Sequence, residues 1–212
     1  LILDTIAPQQ SATISSITDN VGSIQGPIAE GAFSNDTTPT LSGSLSAPLG
    51  SGERLSIYRN GSLAGYASVS GASWSFTPST AITASGLQSF SAAVVDSAGN
   101  VGASSPARSF LLDSSAPTQT VSISAVIDDT DPQPGSVAAG GHTNDSTPTL
   151  SGTLSAPLAA GESVWIYNGF SFLSEAVVAP GSLSWSATVN LTQNGSYALN
   201  ARVVDVAGNL GA

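Results

Sequence analysis

The sequence predicts an all-β protein made of two tandem β-sandwiches. Short runs of branched and small residues, bounded by Gly, Pro, Asn and Ser, recur roughly 8–12 residues apart, the spacing of sandwich strands and turns. Three motif blocks return at one constant offset, so the chain is a repeat. No stretch has the length and 3.6-residue periodicity of an amphipathic helix.

The repeat comes first because it sets the boundaries. Leu3-Asp4-Thr5-Ile6-Ala7-Pro8 returns as Leu112-Asp113-Ser114-Ser115-Ala116-Pro117. Asn35-Asp36-Thr37-Thr38-Pro39-Thr40-Leu41-Ser42-Gly43 returns as Asn144-Asp145-Ser146-Thr147-Pro148-Thr149-Leu150-Ser151-Gly152. Asp96-Ser97-Ala98-Gly99-Asn100 returns as Asp205-Val206-Ala207-Gly208-Asn209, and the offset is 109 throughout. Trp74 and Trp185 are 111 apart, so small insertions lie between the blocks. The first unit is expected over 1–112, with 1–3 read as the end of a preceding unit's last strand. The second is expected over 113–212, without its final strand. This reads as a section of a longer array cut inside a strand, or as a segment trimmed at convenience.

In the first unit, strand A is expected at about 12–17, B at 39–45, C at 54–59 and D at 63–70. E follows at 73–76, F at 88–95 and G at 107–112. Ser91–Val95 and Ser122–Val126 carry the small and branched side chains that suit a thin inter-sheet core. Asn60-Gly61 and Asn168-Gly169 sit where a two-residue hairpin needs positive φ. The connection over 18–35 is long enough to need a pinning partner or a function. Trp74 and Trp185 on strand E are expected in the core rather than on a ligand platform. Trp165 on strand C stands opposite Ser56 in the repeat, and its place, core or surface, is left open.

Composition narrows the chemistry. The 212 residues hold no Cys, four Arg, no Lys and one His, against 14 acids, for a net charge of −10. Disulfides, thiolate metal sites and thiol nucleophiles are excluded. So few cations cannot track phosphates, so nucleic-acid binding is not expected. The apolar runs are too short to insert in a membrane as a helix. A lone His142, read as a loop residue, and the lack of a Gly-x-Ser-x-Gly elbow argue against an enzyme. The Asn-x-Ser/Thr sequons are assigned no function.

The acids are the informative feature. Ten form five pairs at the repeat offset: Asp4/Asp113, Asp19/Asp128, Asp36/Asp145, Glu53/Glu162 and Asp96/Asp205. With strand direction alternating, Asp4, Glu53, Asp96 and Asn100 fall at one pole of the first sandwich. Asp19, Asn20 and Asp36 fall at the other. In the second unit, Asp113, Glu162, Asp205 and Asn209 share a pole, while Asp128, Asp129, Asp131 and Asp145 surround its long loop. Carboxylates gathered without Lys repel one another, and a hard divalent ion held by oxygens would relieve this. Ca²⁺ at the junction between units is therefore expected. The competing reading makes each Asp an Asx-turn former. Asp128-Asp129-Thr130-Asp131 begins like an EF-hand loop, but Pro132 and Pro134 follow and no Glu closes it.

Taken together, the Asp-x-x-Ala-Pro opening, the Asn-Asp-x-Thr-Pro-Thr-Leu-Ser-Gly strand, the Asn-Gly hairpin, the Trp on strand E and Asp-x-Ala-Gly-Asn resemble bacterial Ig-like repeats. Such repeats form the stalks of giant surface adhesins, many of them secreted by a type I system. The resemblance spans both units. It implies seven-stranded Greek-key Ig-like sandwiches arranged end to end, Ca²⁺ at domain junctions, and an extracellular place on the bacterial surface or in a biofilm matrix. It carries over onto Asp4, Asp96 and Asn100, and onto Asp113, Asp205 and Asn209. The sequence departs from the antibody pattern in lacking a Cys pair and a repeated strand-C Trp.

Three functions follow as expectations. The first is a stalk or filament segment stiffened by Ca²⁺, with neighbouring repeats or protomers as partners. The second is a carbohydrate- or receptor-binding module using Tyr58, Tyr66, Tyr167, Phe170 and Phe172. The third is a filament subunit completed by strand donation, with Leu1-Ile2-Leu3 as donor beside strand F.

Overall fold

The computed structural model describes residues 2–212. By chain contacts it divides into two compact units, Leu1–Ser114 and Ser115–Ala212. Among the described residues there are strands, turns and loops but no helix.

The first unit carries β1 (Ala12–Asp19), β2 (Gly26–Pro27), β3 (Phe33–Ser34), β4 (Thr40–Leu45) and β5 (Arg54–Arg59). It continues with β6 (Ser62–Tyr66), β7 (Ser68–Ser70), β8 (Ser73–Phe76), β9 (Gly86–Val95) and β10 (Arg108–Leu112). One sheet has the order β2-β1-β4-β8-β7 and the other β3-β10-β9-β5-β6. In sandwich lettering these are A-B-E-D and G-F-C, the Ig-like strand order. Chain alternation explains the two layers. In β8, Trp74 and Phe76 are buried while Ser73 and Ser75 are exposed.

Three expectations are corrected. Strand D is two pieces: β6 pairs with β5 in one sheet, and β7 pairs with β8 in the other. The switch occurs near Gly65, where an added Cβ would lie 2.8 Å from the Phe76 ring. The long connection also forms short strands, β2 on β1 and β3 parallel to β10. The unit therefore has ten strands rather than seven. The pin on that connection is strand G. Gly31 N donates to Ser109 O, Leu111 N to Ala32 O and Asp113 N to Ser34 O. Glu30 adds carboxylate contacts to the Ser109 amide and hydroxyl. No sequence periodicity marks a two-residue strand, because its partner is remote in the chain.

The core lies between the sheets. Ile17, Leu41, Leu55, Ile57, Phe90 and Phe110 are essentially buried, and each contributes about 1.5–3 kcal/mol by leaving water. Phe90 and Phe110 stack with centroids 6.3 Å apart. Both strand-E tryptophans are buried as expected, and Trp74 Nε1 donates to Ser44 O at 3.2 Å. The last Gly of Thr-Pro-Thr-Leu-Ser-Gly has a steric cause. Strand β1 bulges between Ile14 and Ser16, opposite Gly43. A Cβ there would stand 1.8 Å from Thr13 O and 2.6 Å from the Trp74 ring.

The second unit carries β11 (Val121–Asp128), β12 (Gly135–Ser136), β13 (Thr149–Leu154) and β14 (Ser163–Asn168). Then come β15 (Ser171–Glu175), β16 (Val177–Val178), β17 (Ser184–Thr188) and β18 (Leu199–Val204). Its first sheet, β12-β11-β13-β17-β16, repeats that of unit one, and its second is β15-β14-β18. Gly152 repeats the close approach, 1.9 Å to Ser122 O and 2.4 Å to the Trp185 ring.

The hairpins differ by one position. Asn60 (φ 49) and Gly61 (φ 80) form the first turn, as expected. In the second, Asn168 ends β14 and Gly169 (φ 59) takes the first turn place. That leaves Phe170 at the tip, 99% exposed.

Candidate cation sites at the sandwich poles

The acidic motifs fall at strand ends, at the poles that alternating strand direction predicts. In the turn after β9, Asp96 Oδ1 accepts the Ala98 amide at 2.9 Å and the Asn100 amide at 2.8 Å. Asp96 Oδ2 accepts Asn100 Nδ2 at 2.8 Å, and the same Nδ2 reaches Asp4 O at 3.2 Å. Asp4 Oδ1 accepts the Ile6 amide. At the same pole Glu53 Oε2 accepts the Gly50 amide at 2.6 Å and Gln10 Nε2 at 2.7 Å.

The second unit copies this. Asp205 accepts the Ala207 and Asn209 amides and Asn209 Nδ2, each at 2.9 Å. Glu162 Oε2 accepts the Ala159 amide and Gln119 Nε2.

At the opposite pole of unit one, two buried aspartates share a hydroxyl. Asp19 Oδ1 accepts the Val21 amide, and its Oδ2 accepts Ser34 Oγ at 2.5 Å. Ser34 Oγ in turn accepts the Asp36 amide. Asp36 is 0% exposed and accepts the Thr38 amide at 2.8 Å and the Asn20 amide at 3.1 Å. In unit two, Thr143 Oγ1 joins Asp128 to the Asp145 amide, while Asp145 accepts the Thr147 and Asp129 amides. The side chains of Asp129 and Asp131 are exposed, and Asp131 contributes its backbone carbonyl to Asn144 Nδ2. Asp113 directly follows β10, its amide donating to Ser34 O.

The carboxylates are thus answered by N–H and O–H donors. Ca²⁺ requires six to eight oxygens, several of them carboxylate. Among the described residues no three of His, Cys, Asp and Glu come together to hold a metal. At the Asp96 pole the Asn100 amide nitrogen already supplies the positive partner to Asp96 Oδ2 and Asp4 O. The sequence reading missed the bridging partners, although hydroxyl residues at 34 and 143 and glutamines at 10 and 119 recur at the repeat offset.

These bonds have a pH consequence. Asp96 is held below the ordinary aspartate range, first by the Asn100 side chain. Asp145 is held below it first by the Thr147 amide. A depressed folded pKa gives stability that is present above the unfolded value, about 3.9, and lost as pH falls through the folded value. Asp145→Asn should therefore flatten the loss of stability below about pH 4. Denaturant midpoints of both proteins from pH 6 downward test this, and parallel curves would contradict it.

Arg54 lies 4.6 Å over the Tyr66 ring, Arg59 reaches Gln88 Oε1, and Arg108 reaches Ser15 O and acts on the Glu30 carboxylate. His142 is an exposed loop residue. The aromatic residues do not form one row. Tyr167 is buried, Tyr58 is half-buried, and Tyr66 lies under Arg54. Trp165, half-buried, packs edge-to-face on Phe172 at 4.8 Å, with Tyr167 6.1 Å from Phe172.

No protein-family model matches the chain, and no curated protein sequence matches it. Among solved structures, the chain is similar to the fibronectin(III)-like modules of Clostridium thermocellum CbhA. The identity is 16% over 95% of this chain and 89% of that one, with a TM-score of 0.49. The Ig-like all-β assignment rests on the strand order within unit one and on its repetition in the first sheet of unit two.

Proposed function

We propose that the chain is a structural spacer, a segment of an extracellular bacterial stalk or fibre in which Ig-like units repeat. One observation carries this: the repeated motifs are spent on their own unit's architecture. Asp96 and Asp205 close the turn after strand F, Asp36 and Asp145 anchor the entry to strand B, and Gly43 and Gly152 admit the strand-A bulge. Repetition therefore copies a mechanical module rather than a binding or catalytic constellation. The extracellular placement comes with the resemblance to adhesin stalk repeats.

A spacer must unfold unit by unit under load. Pulling single molecules by their ends should give two separate events. Each should release roughly 35 nm of chain, from about 100 residues at ~3.5 Å each. A single event, or none above the noise, would remove the spacer reading.

The same proposal makes the pole carboxylates internal staples. Melting of the chain should then be the same in EDTA and in millimolar Ca²⁺. A lower melting temperature in EDTA would instead assign a resident cation, by linkage, and return the junction expectation to first place.

A further inference from the structure

The two repeats share their turns and acidic poles but differ on one sheet face. On β14, Val164 and Ile166 belong to the core, so alternation puts Trp165 and Tyr167 on the opposite face. Phe172 of β15 is the ladder partner of Tyr167 and joins them there. The rings meet edge to face, with Phe172 centred 4.8 Å from Trp165 and 6.1 Å from Tyr167. The repeat counterparts in unit one are Ser56, Tyr58 and Leu63, one ring in place of three. The cluster is built from β14 and β15 alone, and β14 stands between β15 and β18 in the sheet.

This is not a finished small core. Tyr167 is only 7% exposed, yet its hydroxyl has no hydrogen-bond partner among the described residues, and neither has Trp165 Nε1. Buried polar groups are ordinarily paired, and two orphans side by side are costly. Phe172, which packs on both rings, is half exposed, and Phe170 at the hairpin tip is wholly so. Asn200 of β18 fixes that tip, its Nδ2 donating to Gly169 O at 2.9 Å. The charges around the rings balance. Glu175 and Arg202 are the two ladder partners of Trp165, one on each side, and both are exposed. In a chain of net charge −10 this face is locally neutral.

We propose that this face of unit two binds a neutral oligosaccharide. A sugar unit has C–H groups that lie against aromatic rings and hydroxyls that both accept and donate. Phe172 yields to the ligand, whose C–H face rests on the rings and whose hydroxyls accept from Trp165 Nε1 and Tyr167 Oη. An aliphatic ligand would leave both donors unpaired. A charged one would meet a charge of each sign, Glu175 and Arg202. The shared motifs serve the architecture of both units, whereas this cluster is present in only one, as a ligand site on a spacer would be. The inference does not depend on the spacer reading, and its failure would leave that reading standing.

Titrating the 212-residue chain with cellohexaose, maltohexaose, mannohexaose and chitohexaose tests it, by calorimetry and tryptophan fluorescence. At least one should bind saturably and change the emission, because Trp165 lies in the site. Tyr167→Phe removes only an unpaired hydroxyl. It should melt no lower than the wild type, yet bind about tenfold more weakly. Phe172→Ala should weaken binding by at least as much, and Tyr58→Phe in unit one should leave it unchanged. Four sugars without saturable binding overturn the proposal. Binding that Tyr167→Phe and Phe172→Ala leave intact overturns it too, as does a Tyr167→Phe variant that melts lower, since its hydroxyl would then be structurally paired. Self-association dispersed by Phe172→Ala would give the face to a second copy of the chain instead.

Discussion

Gly43→Ala should destabilise the first unit by about 3 kcal/mol or more, at the upper end for overpacking, and lower its melting temperature by roughly 12–24 °C. The added methyl meets Thr13 O at 1.8 Å, and this obstacle is backbone, so no side-chain rotation relieves it. Strand β1 has to move away, which breaks the Ile14–Gly43 register and lifts Ala12, Ile14 and Ile17 off the core. Gly152→Ala should do the same to the second unit through Ser122 O. Ser44→Ala is the control, because its side chain is exposed and its carbonyl still accepts Trp74 Nε1. Calorimetry of the three variants decides the matter. A glycine variant that melts like the control would mean that the bulge is not held as described.

The second large effect is the independence of the units. Unfolding should occur in two steps, one for each compact unit. Phe110→Ala should cost the first unit about 3–5 kcal/mol, since Phe110 is fully buried and stacked on Phe90. The first unit's transition should move down, and the second unit's should stay in place. Trp74 is the first unit's own fluorophore, and Trp165 and Trp185 belong to the second, so variants keeping one set separate the steps. A single wild-type transition, or a Phe110→Ala shift in both steps, would contradict the assignment. A chain of two units has no single unfolding free energy, so each step is analysed by itself.

How far the sequence could be read depended on the distance over which the deciding contact acts. Period-two burial in Ser73-Trp74-Ser75-Phe76 is local, and the strand was legible before any fold was known. Asn60-Gly61 is likewise local, since positive φ selects those residues for the turn. Strand D was read as one piece because its switch between sheets depends on the Phe76 ring beside Gly65, eleven positions along the chain. The short strand β3 was invisible, because its partner β10 lies far along the sequence. The acids show the same division. Their pairing at a fixed offset was plain, but whether they face a cation or an amide depends on which groups the loops bring to them. Asp36 finds Asn20 N sixteen residues away, and Asp96 finds the Asn100 amide four away.

By itself, then, the sequence determined an all-β chain of two repeated units with its acids at strand ends and its strand-E tryptophans inside. Alternation, turn chemistry and repeat spacing are properties of short windows, and short windows carry them whole. The tertiary structure alone decided two things: that the carboxylates are answered by N–H and O–H donors, and that Gly43 and Gly152 exist for the strand-A bulge. The Gly43 and Gly152 approaches and the Asp36–Asn20 bond join segments far apart in the chain, whose meeting only the tertiary fold sets.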